Sequence, residues 1–252
     1  MYSLMLTLRK KELLSSALKY ALERQCVISN NIGFSMRPQI RHMCKDFDDT
    51  RVSLHPSNIY RNSPRINKIF KLFRINKRKY QLISLGYLLY ANILETVDYS
   101  TFYKDFNMPD TFFSWFLITE LHVWMLMVRY ISEGNEGKFV RDNMLESMWK
   151  DIDVRMTKVC PMDGRTKRKQ LVKLTGQFYS ALIHYDEGIL SDDKVLAAAL
   201  WTIFFVEECN NPEMIERLLI YVRKQMYLLD KIPEDDLMWN PYIKWMQLKS
   251  VR

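Results

Sequence analysis

The chain has 252 residues, of which 48% are apolar, 13% aromatic and 26% charged. That is enough apolar mass for one sizeable core, and the aromatic load excludes a chain disordered throughout. Seven Gly and eight Pro are too few for an all-β protein built on tight turns, and four Cys exclude a disulfide scaffold. The expected class is all-α: a single multi-helix, bundle-like domain with a basic N-terminal arm.

The charge is divided along the chain. Residues 1–79 hold 17 Lys+Arg against 5 Asp+Glu, whereas 80–252 hold 20 against 24. A basic arm therefore precedes a mildly acidic domain, a pattern that fits a targeting segment or an anionic partner such as RNA or a phospholipid surface. Residues 1–45 read as a mitochondrial targeting segment. Leu14, Leu18 and Leu22 recur at helical spacing beneath Arg9, Lys10, Lys11, Lys19 and Arg24, and acids are scarce. Residues 46–63 lack periodicity and read as a linker.

Ser63 and Pro64 predict a helix start, with a basic helix over 64–79. Its cations Lys68, Lys71, Arg74, Lys77, Arg78 and Lys79 interleave with apolar residues and suit a phosphate backbone or an anionic membrane. Further helices are expected over 80–97 and 99–106. Asp110 or Thr111 caps the most apolar run, 112–131, which is long enough to span a bilayer. Glu120 and His122 at its middle make a buried core helix the better reading, with no transmembrane span.

Val140, Met144, Met148, Ile152 and Met156 form a four-residue ladder on the next helix. A basic patch at Arg165, Lys167, Arg168 and Lys169 leads into a helix expected to break at Tyr185-Asp186-Glu187-Gly188. Ser191 is expected to cap the following helix, and Pro212 to open the last long one, running to about 229. The helical domain is taken as 64–232 and a less regular tail as 233–252.

The sequence carries no phosphate-binding glycine loop, dinucleotide fingerprint or nucleophile elbow. Glu120 and His122 are two apart, so on a helix they point about 200° from each other and do not share a metal. His122 reads as a hydrogen-bonded core residue, and His184 with Asp186 and Glu187 as a polar turn. Asp192-Asp193 and Asp235-Asp236 lack the context of an aspartate-rich lipid enzyme. No catalytic group, metal or cofactor is expected. An RNA- or ribosome-binding module acting through the basic arm stays open as the alternative function.

The stretch from Met108 to Arg129 opens Met-Pro-Asp-Thr-Phe-Phe-Ser-Trp and runs through Glu120, His122 and Trp124. It resembles the signature of the ubiquinol–cytochrome c reductase assembly chaperones, the cytochrome b chaperones of mitochondrial complex III. Met148-Trp149 with Asp151 and Arg155, then Gln177-Phe178-Tyr179, then the run from Tyr185 to Trp201 agree in order, so the resemblance covers about 70–230.

It implies a non-enzymatic assembly factor in mitochondria, on the matrix side of the inner membrane. The implied partners are nascent cytochrome b, a small complex III assembly subunit and the mitochondrial ribosome, with peripheral contact to the inner membrane. On this resemblance His122, Trp124, Arg129, Asp151, Arg155, Tyr185, Asp186 and Glu187 are candidate partner-binding residues. Arg129 paired with Asp151 or Asp186 would instead fix helix register. Fifteen Met allow an adaptable apolar surface, although most are expected in the core.

Overall fold

The computed structural model describes residues 77–159 and 163–250. The expected targeting segment 1–45, the linker 46–63 and the helix over 64–76, with Lys68, Lys71 and Arg74, lie outside the described residues. All regular secondary structure among the described residues is helical: α1 (Lys77–Thr96), α2 (Tyr99–Asp105), α3 (Phe112–Arg129), α4 (Gly134–Val159), α5 (Gly164–Leu190), α6 (Asp193–Ile203), α7 (Pro212–Asp230), α8 (Glu234–Leu237) and a closing 3-10 turn, Leu248–Ser250.

Short polar side chains start most of these helices by accepting otherwise unpaired N–H groups of the first turn. Asp98 accepts from Thr101, Thr111 from Ser114, Asp163 from Arg165 and Thr166, and Asn211 from Glu213 ahead of Pro212 at the first position of α7. Thr111 thus takes the role left open between it and Asp110. The cap of α6 differs from expectation. Asp192, not Ser191, accepts the N–H groups of Lys194 and Val195, and the Ser191 N–H goes to the Gly188 carbonyl.

Helix α3 is the hub. It has the length and composition to cross a membrane, yet 78% of it is buried within the protein. Its apolar sides are already covered by neighbouring helices, as expected of a core helix. The Met ladder is likewise core: Met144, Met148 and Met156 are buried with Val140 and Ile152 on α4, as are Met125 and Met127 on α3. These five are therefore not an adaptable outer surface.

Helix α1 packs along α4, and Gly86 sets how closely they meet. A Cβ at Gly86 would lie 2.7 Å from the Val140 carbonyl oxygen and 2.9 Å from the Met144 nitrogen. Those are backbone atoms, so no rotamer change relieves the clash. Gly86→Ala is expected to destabilise the domain by about 3 kcal/mol, although alanine is the better helix former. Denaturant titration checks this; an unchanged midpoint would mean that α1 and α4 slide apart at no cost.

Helix α5 runs unbroken through Tyr185–Gly188, against the expected break. Tyr185, Asp186 and Gly188 all face inward. A Cβ at Gly188 would come within 2.9 Å of Leu196 Cα, so this glycine serves close packing of α5 on α6 and does not end a helix.

The segment after α7 is short of regular structure and largely exposed, but it is anchored by Leu237, Met238, Ile243 and Leu248 in the core. It is tied down by side chains that serve its backbone. The Asn92 side-chain oxygen accepts the Ile243 N–H at 3.3 Å, the Gln225 oxygen accepts the Met246 N–H at 2.8 Å, and the Tyr130 hydroxyl donates to the Leu237 carbonyl at 2.7 Å.

Candidate functional site

The two polar residues in the middle of α3 point to opposite sides, as their spacing requires. On one side, His122 is fully buried, with Nδ1 2.7 Å from the Ile118 carbonyl and Nε2 2.8 Å from the Tyr221 hydroxyl. Because Nδ1 meets a carbonyl, it carries the proton, and Nε2 accepts from Tyr221. Phe102 and Trp245 meet the imidazole edge-on at 5.5 and 4.7 Å. Burial depresses its pKa to about 4, so it is neutral at physiological pH. As expected from the sequence, it is a hydrogen-bonded core histidine.

On the other side, Trp124 donates its indole N–H to Asp186 at 2.7 Å and lies 5.0 Å from the Tyr185 ring. Burial raises the Asp186 carboxyl to about 6, against the opposing pull of the Trp124 N–H and the Arg141 charge. Glu120 is buried more severely. Its carboxyl oxygens and the Tyr185 hydroxyl make no hydrogen bond within the distance and angle of a good one. Burial holds the Glu120 carboxyl well above its usual range, only partly opposed by the nearby Gln177 amide.

The sign of the resulting pH dependence follows. The folded state holds the Glu120 proton more tightly than the unfolded chain, so stability falls as pH rises from 4.5 through the raised folded value. Asp186 acts in the same direction between 3.8 and about 6. His122 acts oppositely, with stability lost as pH falls from 6.5 to about 4. Glu120→Gln removes a buried carboxyl whose protonation costs the folded state stability above pH 4.5. It is expected to raise stability at neutral pH by about 1–3 kcal/mol, the scale of one uncompensated buried group, and to change little in acid. Melting curves across the pH range test this, and equal gains at every pH would contradict it.

Arg129 does not meet Asp151 or Asp186. It pairs with Glu133 at 2.6 Å and donates to the Leu229 carbonyl in the last turn of α7 at 3.0 Å and to the Ile232 carbonyl just past it at 2.8 Å. The expected pair with Asp151 or Asp186 is not formed, and Arg129 instead ties the end of α3 to the end of α7 through these carbonyls. Asp151 instead takes the Tyr90 hydroxyl and Arg155, each at 2.7 Å, and Arg155 lies 4.4 Å over the Trp115 ring.

The eight candidates therefore do not share one surface. His122, Trp124, Tyr185 and Asp186 are buried, and Arg129 nearly so; Glu187 is exposed on α5, and Asp151 and Arg155 are partly open. Residues 185–187 lie on a helix and not in a polar turn, and the His184 Nδ1 bonds the Ser180 carbonyl at 2.7 Å. Of the basic set, Arg78 pairs with Glu136 and covers the Trp239 ring at 4.7 Å, and Lys79 lies 5.9 Å over Phe139. Arg78 is partly exposed and Lys79 exposed.

The first turn of α3 and the Val154–Arg155 part of α4 carry partly exposed apolar side chains. Phe113 is exposed, Phe112 and Trp115 are half-buried with their rings 5.5 Å apart, and Val154 is 47% exposed beside Arg155. The composition of 112–131 reads this first turn as core, and nothing in its local sequence separates it from the buried middle.

The regular structure of the described residues is all helical, with a polar seam buried inside and partly exposed aromatic residues outside. Residues 104–244 match the family described as ubiquinol-cytochrome C chaperone, and the chain belongs to that family. It is 45% identical over 178 residues to ubiquinol-cytochrome c reductase complex assembly factor 1 of Drosophila melanogaster, covering 69% of each chain. The human protein of that name is 42% identical over 64% of this chain and 53% of its own. Protein CBP3, mitochondrial, of Saccharomyces cerevisiae is 32% identical over 56% of this chain and 42% of its own. The crystal structure of the Cbp3 homolog from Brucella abortus aligns over 74% of this chain and 99% of its own, with a TM-score of 0.59 at 21% identity. That last likeness concerns the fold.

Proposed function

We propose that this chain is an assembly factor for mitochondrial ubiquinol–cytochrome c reductase, working on the matrix side of the inner membrane. In this reading it binds newly made cytochrome b together with a small partner subunit, close to the mitochondrial ribosome. The observation that carries it is a family match spanning 104–244, joined to relatives named for that assembly. The surface of Phe112, Phe113, Trp115, Val154 and Arg155 supports it, since a chaperone of membrane helices must present apolar and cation–π contacts to a client. Asp151, Arg155 and Glu187 are the candidates open to a partner. His122, Trp124, Arg129, Tyr185 and Asp186 act by holding the helices that display them.

The test is a native pull-down from mitochondria with translation products labelled. Recovery of cytochrome b with one small protein is expected, and loss of both is expected in a Phe113→Ser, Trp115→Ser variant that melts as the parent does. Recovery of ribosomal RNA without cytochrome b would move the function to the basic arm, whose net charge of +12 over residues 1–79 favours that second reading.

A further inference from the structure

The junction of α4 and α5 concentrates charge that the domain does not use. Residues 153–173 hold seven Lys+Arg against two Asp. Both acids are engaged: Asp153 binds Lys167 at 2.6 Å, and Asp163 accepts the N–H groups of Arg165 and Thr166. Arg155 is held by Asp151. Lys158, Arg165, Arg168, Lys169 and Lys173 are exposed and make no ion pair among the described residues.

These cations border an apolar line. At 100° per residue, Arg165, Val172, Gly176 and Ile183 fall within about 20° of one line along α5. That line is opposite the buried Leu174, Phe178, Ala181 and Tyr185. Val172 is 66% exposed and Ile183 45%, and a Cβ at Gly176 would meet nothing within 4 Å. Arg168 lies on one side of the line, and Lys169 and Lys173 on the other. Glu187, one turn past Ile183, ends the stripe.

The geometry points to this outer face of α5 as a docking surface for a bilayer containing anionic phospholipid, with Val172 and Ile183 seated among the headgroups and Arg165, Arg168, Lys169 and Lys173 on the phosphates. Cations alone would suit RNA equally. The aliphatic line decides for lipid, since Val172 and Ile183 offer no stacking or hydrogen bonding to a base but gain by leaving water at an interface. The two lie about 16 Å apart on one face, so the helix rests parallel to the membrane without entering it. The inference deepens the reading of a factor working at a membrane, and its failure is separate from failure of that reading. A chain that still retrieves cytochrome b but leaves this face in water loses only the surface assigned here.

The test uses the full chain with its cysteines changed to serine and an environment-sensitive fluorophore on Val172→Cys. The titrant is vesicles of equimolar phosphatidylcholine and phosphatidylglycerol. A blue shift at position 172 is expected, with none from a probe on Glu216→Cys and none with phosphatidylcholine alone. Combining Arg165→Gln, Arg168→Gln and Lys169→Gln is expected to raise the lipid needed for half the shift by roughly a hundredfold, each cation contributing about fivefold. None of the three side chains contacts the core, so circular dichroism should be unchanged. The proposal is overturned if the chain ignores anionic vesicles, or if it binds them through the arm with position 172 still in water. It is also overturned if the probe responds to a short RNA and not to vesicles.

Discussion

Arg129→Ala should destabilise the domain by about 3–5 kcal/mol, the usual cost of breaking a buried ion pair from one side. The Arg129 and Glu133 side chains are 11% and 5% exposed, so the glutamate left behind is charged, out of water and short of its main partner. The same substitution strips two donors from the Leu229 and Ile232 carbonyls, which close the end of α7 and begin the tail. A flexible lysine is no substitute for the guanidinium fork, so Arg129→Lys should recover only part of the loss. In the double variant with Glu133→Gln the two losses should fall short of additive, because the stranded charge is gone. Denaturant titration of the four proteins measures this. Strict additivity would show that Arg129 and Glu133 do not couple energetically.

Trp124→Ala should cost a comparable 3–5 kcal/mol, the range for deleting a large buried aromatic. The indole is 1% exposed, packs at a tilt against Tyr185 and gives Asp186 its hydrogen bond. Its loss leaves a cavity between α3 and α5 and removes a contact that lowers the Asp186 pKa, so that carboxyl should titrate above its present value of about 6. The pH profile separates the two effects. Trp124→Phe keeps much of the ring volume but not the donor, and should show the upward shift with a smaller loss of stability. If Trp124→Phe leaves the pH dependence of melting unchanged, the Trp124–Asp186 hydrogen bond does not set that titration.

Both variants bear on how the buried candidates relate to function. Trp124, His122, Tyr185 and Asp186 lie in the stretches that carry the family resemblance, yet they are inside. Their effect on a partner must pass through the placement of α3 and α5. A partner-binding defect in Trp124→Ala without loss of stability would contradict this.

Several features were legible because they depend on near neighbours in the chain. The end of α2 before Pro109, the start of α3 at Thr111, the four-residue ladder on α4 and the opening of α7 at Pro212 follow from capping chemistry and helical period. Both operate over one or two turns. The opposed directions of Glu120 and His122 followed from helical geometry alone. The family was legible in the ordered pieces between Met108 and Trp201, and with it the class of function.

The tertiary structure decided what depends on residues far apart. Tyr185-Asp186-Glu187-Gly188 has the composition of a turn, but Trp124, 62 residues away, supplies the indole N–H for Asp186. The bare Cα of Gly188 admits Leu196, and the helix continues. Arg129 has a local acid in Glu133, four residues on, but only the packing of α3 against the end of α7 brings it the Leu229 and Ile232 carbonyls. The first turn of α3 reads as core by composition, yet Phe113 is exposed and Phe112 and Trp115 are only half-buried. Helical period and capping are local properties that a sequence states outright, whereas the pairing of buried polar groups and the cover over each apolar face are set by how the helices come together.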